Sequence, residues 1–121
     1  MDTVLIQSGH PLWTRTISFA RNCSWKAGPF LADCMTKNEF QDWERVIVAV
    51  DNDRIAGYCT FTEKDELPAE HGYSPFIGFV FVDEQDRGKR ISEQMIRCTC
   101  EYAEELGYSA VYLMSGEQGL Y

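Results

Sequence analysis

Three cationic side chains stand within four positions where an apolar run passes into a segment with helical periodicity. They are Arg87, Lys89 and Arg90, with Gly88 between the first two. The first N–H groups of a helix lack intrahelical partners and lie at the positive end of its dipole, so this turn suits an anion. The glycine lets the backbone approach a ligand closely. Residues 87–92 are therefore a candidate site for a phosphate or pyrophosphate.

A second interpretation of the same turn needs no ligand. Asp83, Glu84 and Asp86 directly precede the cations, and these acids could pair with them in a solvated loop. The residue types alone leave both interpretations open. A nucleotide-binding P-loop is excluded, because the pattern G-x-x-x-x-G-K-[ST] is absent.

The elements that position this turn follow from apolar spacing. The last predicted helix has apolar residues at intervals of three and four, and Gly107 follows it where a C-cap glycine belongs. The run 46–50 and the segment 54–62 flank a turn at 51–53, which predicts an antiparallel hairpin. The pattern predicts a mixed α/β fold around one sheet, with strands at 2–7, 46–50, 54–62, 76–82 (central and buried) and 110–114, helices at 12–22, 30–38 and 89–106, a break at 27–29, and a loop at 63–75.

Composition limits the classes of function. The chain has 121 residues, 45% of them hydrophobic, so one domain with a real core is expected. Nineteen acids against 11 cations give a net charge of −8. This charge argues against nucleic acid as a partner, since such binding rests on phosphate neutralisation, and it fits either a cationic partner or solubility alone. No apolar stretch is long enough for a membrane span, so no membrane partner is expected.

The cysteines indicate a reducing compartment. There are five, and none forms a C-x-x-C pair. An odd number without metal-type spacing predicts reduced thiols in a cytoplasmic protein. His10 and His71 do not supply zinc-like spacing, so no metal is expected.

The order of these features resembles the coenzyme-binding core of the GNAT N-acetyltransferase family. That family carries [Q/R]-x-x-G-x-[G/A] at a strand-to-helix turn, and Arg87 to Ser92 is the matching segment. It departs at Arg90 and Ser92, where glycine or another small residue is usual. The tail GLY at 119–121 resembles the start of the family's L-Y-E-K-x-G-F segment. The resemblance covers roughly residues 45–121.

The resemblance implies a mixed, mostly antiparallel sheet flanked by helices and truncated at its C-terminus. It implies a single acyl-CoA N-acyltransferase-like domain over 1–121, with an acceptor region at 1–45 and a coenzyme-binding core at 46–121. The strand 110–114 would then have an uncovered edge, through which two copies could pair as a homodimer.

The resemblance also implies transfer of acetyl from acetyl-CoA to a primary amine of a small molecule or peptide. Tyr121 takes the position of the family's general acid. The alternatives are an acyl-CoA-binding module without turnover and a plain interaction domain. The coenzyme would contact a strand segment and the cationic turn, at Val80, Phe81, Val82, Arg87, Gly88, Lys89, Arg90, Ile91 and Ser92.

The base that accepts the amine proton is the least defined part. Many family members place a carboxylate in the strand that corresponds to 76–82, and this strand has none. Glu63 and His71 are the candidates, although each also suits an ordinary surface position. The acid-rich segment 63–70 would attract a cationic amine. The acceptor site, or simply the core, would contain Trp25, Phe30, Met35, Trp43 and Tyr73.

Overall fold

The computed structural model describes residues 2–23, 28–38, 40, 42–52, 54–62, 76–88, 90–108 and 111–113. Within these ranges five strands and three helices follow one another, with a short 3₁₀ turn before the last helix. They are β1 (Asp2–Ile6), α1 (Pro11–Asn22), α2 (Gly28–Thr36), β2 (Arg45–Asp51), β3 (Arg54–Thr62), β4 (Phe76–Val82), the 3₁₀ turn (Glu84–Asp86), α3 (Ile91–Glu105) and β5 (Tyr112–Leu113).

The strands form one sheet in the order β1-β2-β3-β4-β5. Neighbours from β1 to β4 are antiparallel, and the predicted hairpin is the pair β2 and β3. Strand β5 runs parallel to β4, with pairs described at Phe76 and Ile77. The predicted mixed, mostly antiparallel sheet is confirmed, and β4 lies inside it between β3 and β5.

Helices cover both faces of the sheet, and alternation along β2 shows why. Val46 and Val48 pack against α1 and α2 in one cluster of buried side chains. Ile47 and Ala49 point the other way and pack against α3 in a second cluster. A strand with apolar residues on both faces needs cover on both, so the fold has three layers.

Helix α3 ends as its sequence predicts. Gly107 has φ +96°, a left-handed conformation that glycine adopts without strain. Its N–H donates to the carbonyl of Glu104, and the N–H of Tyr108 donates to the carbonyl of Ala103, each at 3.0 Å. These two bonds form a Schellman motif. The helix begins at Ile91, two residues later than predicted, after the left-handed Arg90.

The break predicted at 27–29 is wrong for its last two positions, because α2 already begins at Gly28. Pro29 fits there, since the first helical turn does not use its N–H groups. A Cβ at Gly28 would lie 2.2 Å from the carbonyl oxygen of Ala20 and 2.6 Å from the Sγ of Cys23. The glycine therefore serves the close packing of α1 and α2 and begins a helix instead of separating two.

Candidate functional site

Strand β4 contains a bulge close to its middle. Tyr58 of β3 pairs with Phe81, and Thr60 pairs with Gly78. Two steps along β3 thus match three along β4, so β4 carries an extra residue at 79–80. A bulge of this kind leaves a residue out of the ladder and redirects the side chains that follow it.

The packing of β4 side chains shows the same change of phase. Ile77 and Val80 both pack in the cluster under α3, although residues three apart in a regular strand face opposite sides. Phe81 then packs in the cluster under α1 and α2. Val82 returns to the α3 side. The bulge therefore sets which faces the last three residues of β4 present.

The backbone of Val82 is directed away from β3. The N–H of Asp83 donates to the carbonyl of Ala56 at 2.8 Å. In an antiparallel ladder this bond makes the preceding pair, Gly57 with Val82, a non-hydrogen-bonded pair. The N–H and C=O of Val82 then point to the opposite edge of β4, where β5 lies. Val82 is one of the two residues predicted to offer backbone bonds to a pantetheine arm, and the other, Val80, lies at the bulge.

The turn after β4 combines two left-handed residues with the start of α3. Gly88 has φ +88° and Arg90 has φ 60°, and Arg90 is the N-cap. Ile91 is buried, so the helix starts on a core contact. The side chain of Ile91 is thus occupied by packing, and only its backbone is available to a ligand. Ser92 is half-buried in the first turn.

Arg54 of β3 holds the acids of this turn. Its two terminal nitrogens donate to the two carboxylate oxygens of Asp86 at 2.8 and 2.7 Å. It also lies 3.8 Å from the carboxylate of Asp83. The hydrogen bond from Arg54 to Asp86 raises the pKa of the guanidinium. Asp83 and Asp86 therefore have a cationic partner outside the turn, on β3.

Arg87 lies along the outer edge of β4. Its Nε donates to the carbonyl of Val82 at 3.1 Å. Its guanidinium stands over the ring of Phe81, with 5.8 Å between the guanidinium carbon and the ring centroid. The positive charge is thus placed beside the strand edge to which Val82 directs its N–H.

A groove of about 550 Å³ lies on the α1 side of Arg54. Two arginines and a carboxylate contribute to its walls, together with two neutral polar and two apolar side chains. The lining is Arg15, Ser18, Phe19, Asn52, Arg54, Ile55 and Asp83. None of the acceptor-site candidates within the described residues (Phe30, Met35 and Trp43) lines it.

The three acceptor-site candidates that the structure describes are not brought together. Met35 is buried in the cluster under α1 and α2. Trp43 packs against Phe61 at 5.5 Å between ring centroids, in the cluster on the other face of the sheet. Phe30 is 58% exposed on α2. Met35 and Trp43 therefore have core roles, which is the alternative that the sequence left open.

Several predicted residues lie outside the described part of the chain. Both proposed catalytic residues are among them, as are one cation of the turn and two acceptor-site aromatics. They are Tyr121, Glu63, His71, Lys89, Trp25 and Tyr73. Within the described ranges, no group of three or more His, Cys, Asp or Glu side chains is suited to a metal ion. None of the helices described has the length and hydropathy of a membrane span.

Sequence reasoning missed the bulge, Gly57 and the Arg54–Asp86 pair. A Cβ at Gly57 would lie 2.6 Å from the carbonyl oxygen of Phe81, so glycine is what lets β3 approach β4 here. A glycine inside a predicted strand often marks the close approach of another backbone, so the sequence could have indicated this contact. The ion pair joins residues 32 positions apart, so no local sequence pattern predicts it.

A family model describes this arrangement. The model of the acetyltransferase (GNAT) family matches residues 13–121, most of the chain. The chain belongs to the acetyltransferase (GNAT) family. As a member of this family it is an acetyl-CoA-dependent N-acetyltransferase, as the resemblance of its turn and strand order implied. No curated protein sequence matches the chain.

Solved structures share the GNAT fold with this chain. An aminoglycoside 6′-N-acetyltransferase from Acinetobacter haemolyticus has a TM-score of 0.70 at 10% identity, over 98% of this chain and 82% of its own. A ribosomal-protein-alanine N-acetyltransferase from Brucella melitensis has 0.68 at 19%, over 98% and 83%. An aminoglycoside 6′-N-acetyltransferase complexed with coenzyme A has 0.68 at 14%, over 93% and 61%. At these identities the likeness shows the fold alone.

Proposed function

We propose that this chain transfers the acetyl group of acetyl-CoA to a primary amine of a small molecule or peptide. The observation that carries the proposal is the bulged β4, whose Val82 directs its N–H away from β3. This strand leads directly into the turn that contains Arg87 and the N-terminus of α3. A GNAT-fold protein in complex with coenzyme A is consistent with this co-substrate.

In the proposed mechanism the pantetheine arm lies along the outer edge of β4. An N–H of this edge would polarise the thioester carbonyl and stabilise the oxyanion that forms on it. The neutral amine attacks the carbonyl carbon, the C–S bond breaks, and the electron pair leaves with the sulfur. Much of the rate would come from holding amine and thioester together.

Proton transfer is assigned by resemblance. Glu63 or His71 would accept the amine proton, and Tyr121 would protonate the departing thiolate. A thiol has a pKa near ~8.5, so the thiolate leaves with little help. The base therefore matters more than Tyr121 for the rate, because only a neutral amine attacks.

Residues 87–92 would hold the pyrophosphate in this arrangement. Gly88 and Arg90 turn the backbone, and the N–H groups at the start of α3 face the ligand together with the dipole of a 15-residue helix. Arg87 adds a cation. Residues 1–45 would form the acceptor region beside a coenzyme core of 46–121.

Three further parts of the proposal concern the acceptor, the compartment and the assembly. The acid-rich segment 63–70 and the net charge of −8 favour a cationic amine. Free thiols at all five cysteines fit a cytoplasmic protein. Strand β5 stands at one end of the described strand order, so a second copy could pair with it. Sedimentation equilibrium tests this pairing, and a monomer at high micromolar concentration would contradict it.

Two measurements test the function. Calorimetric titration with acetyl-CoA should show binding, and no heat at high micromolar ligand would refute both transfer and a coenzyme-binding role. Thiol release from acetyl-CoA should accelerate with some member of an amine panel. Binding without acceleration by any amine would leave a coenzyme-binding module in place of an enzyme.

The variant Arg87→Glu tests the placement of the phosphates. Reversing this charge should weaken acetyl-CoA binding at least tenfold, because it sets an acid beside the pyrophosphate. Arg97→Glu is the matched control, since Arg97 is exposed on α3 and its described ion pair is with Glu93. An equal loss of affinity in both variants would show a general charge effect instead of a contact.

A further inference from the structure

The pair of Arg54 and Asp86 joins the rigid sheet to the turn before α3. Arg54 is the first residue of β3, and β3 lies in the middle of the sheet. Asp86 is the last residue of the 3₁₀ turn and directly precedes Arg87. Both carboxylate oxygens accept from the guanidinium, at 2.8 and 2.7 Å, in the bidentate geometry that fixes orientation as well as distance.

The burial of this pair is one-sided. Asp86 is fully buried at 0% exposure, while the Arg54 side chain is 42% exposed. A buried carboxylate is costly unless a cation and good hydrogen bonds compensate it. The guanidinium of Arg54 matches both carboxylate oxygens of Asp86, so this ion pair helps to fix the position of Asp86.

Arg54 braces the whole 3₁₀ turn. It contacts Asp83 at the start of the turn and Asp86 at its end. The turn itself closes through the N–H of Asp86, which donates to the carbonyl of Asp83 at 2.9 Å. At the other end of the cationic segment, Ile91 is the first residue of α3, and its side chain is buried between this helix and the sheet. Arg87, Gly88 and Arg90 therefore lie between Asp86 and Ile91, both of which are buried.

The described residues between these ends are Arg87, Gly88 and Arg90. Gly88 and Arg90 are exposed and left-handed, and an exposed glycine resists distortion poorly. The contact described between this segment and the sheet edge is the bond from Arg87 to the carbonyl of Val82. The backbone direction at Arg87 and Gly88, which directly follow Asp86, thus depends in part on where Asp86 is held.

We propose that Arg54 and Asp86 are positioning residues for the coenzyme phosphates. The pair acts through the turn: it holds the cationic segment in the shape that accepts the pyrophosphate, so coenzyme affinity depends on its bidentate geometry. The inference rests on the proposed function, because it assumes that 87–92 receive the phosphates.

The test uses a variant that removes the pair without changing net charge. Arg54→Met with Asp86→Leu replaces a buried ion pair by apolar groups, a change that is often neutral for stability. We expect its Kd for CoA, measured by calorimetry, to rise about tenfold. Arg54→Lys keeps the charge but lacks the planar fork, and should raise the Kd about threefold.

A stability control separates positioning from general loosening. Val48→Ala truncates a fully buried side chain of β2 in the cluster under α1 and α2. It should lower the midpoint of urea unfolding and leave the Kd for CoA within twofold. For an amine that supports turnover, the pair variants should raise the KM for acetyl-CoA with kcat within twofold, because the reacting atoms lie along β4.

Two results would overturn the inference. One is a folded double variant whose Kd for CoA is within twofold of the native value, and the other is a loss of affinity no larger than that of Val48→Ala. If the double variant does not fold, Arg54→Lys is judged by the same criteria. Failure of the native chain to bind CoA would instead refute the proposed function, so the two failures are distinct.

Discussion

The left-handed conformation of Arg90 allows a sharp prediction for Arg90→Gly. Arg90 has φ 60° and ψ 28°, at the position where the GNAT motif usually has glycine. For a residue with a Cβ this conformation costs roughly 1–2 kcal/mol. Glycine avoids that cost but loses roughly 0.5–1 kcal/mol more backbone entropy on folding. The difference predicts that Arg90→Gly stabilises the chain by about 0.5–1 kcal/mol.

Thermal and urea unfolding of the ligand-free chain measure this gain. For a domain of this size the predicted change raises the Tm by about 2–4 °C. Arg90→Ala removes the same charge but keeps the Cβ, so it should gain little. Asn52→Gly is the second control, since Asn52 has φ 50° and asparagine tolerates that region better than arginine does.

Two outcomes would refute this reasoning. If Arg90→Gly unfolds at or below the native midpoint, the left-handed strain is not stored at this residue. If Arg90→Ala gains as much as Arg90→Gly, the gain comes from charge and not from backbone conformation. Calorimetry with CoA adds an independent comparison: both variants lose one cation, so any tighter binding of the glycine variant reports the backbone.

Three further predictions concern the core of the sheet. Gly57→Ala should destabilise the chain by ~2 kcal/mol in urea unfolding, because the new Cβ would lie 2.6 Å from the backbone oxygen of Phe81. Unchanged stability would contradict the close approach of β3 and β4. Burial raises the pKa of the Cys59 thiol to about 12. Alkylation at pH 8, read by peptide mass spectrometry, should therefore label the exposed Cys100 well before Cys59. Equal labelling of the two thiols would contradict the burial of Cys59. The native state holds the Cys59 proton more tightly than the unfolded state, so stability should fall as pH rises from about 8.5 towards 12. Burial also raises the pKa of Tyr58, which adds to the fall above ~10. Between pH ~8.5 and ~10 the slope should be shallower in Cys59→Ala than in the native chain, and equal slopes would contradict this source.

The local elements of this fold could be read from sequence because their signals are local. The hairpin of β2 and β3 follows from two β-branched runs around a turn, and β3 was predicted with its observed bounds, Arg54–Thr62. The end of α3 follows from one residue, Gly107, whose left-handed φ permits the Schellman bonds. In both cases the physics that sets the boundary acts within a few residues.

The parts of the site that escaped prediction depend on contacts between distant segments. The bulge of β4 is defined by its register against β3, which a single strand does not reveal. Trp43 was considered for the acceptor site, although it packs on the face opposite to α2. Aromatic residue type alone does not distinguish a pocket from a core, because the face of the sheet is decided by register.

The Arg54–Asp86 pair explains how a chain of net charge −8 concentrates positive charge at one turn. Two of the acids that precede the cations have a cationic partner outside the turn, because β3 supplies Arg54, which binds Asp86 and approaches Asp83. Asp86 is withdrawn into the protein, while Arg87 and Arg90 remain exposed. Exposed charges that lie more than a Debye length apart, about 8 Å, are largely screened from one another. The nearest charges therefore set the local potential. An overall acidic charge that attracts amines is therefore compatible with a local cationic turn for phosphates, provided that Arg54 keeps the two signs apart.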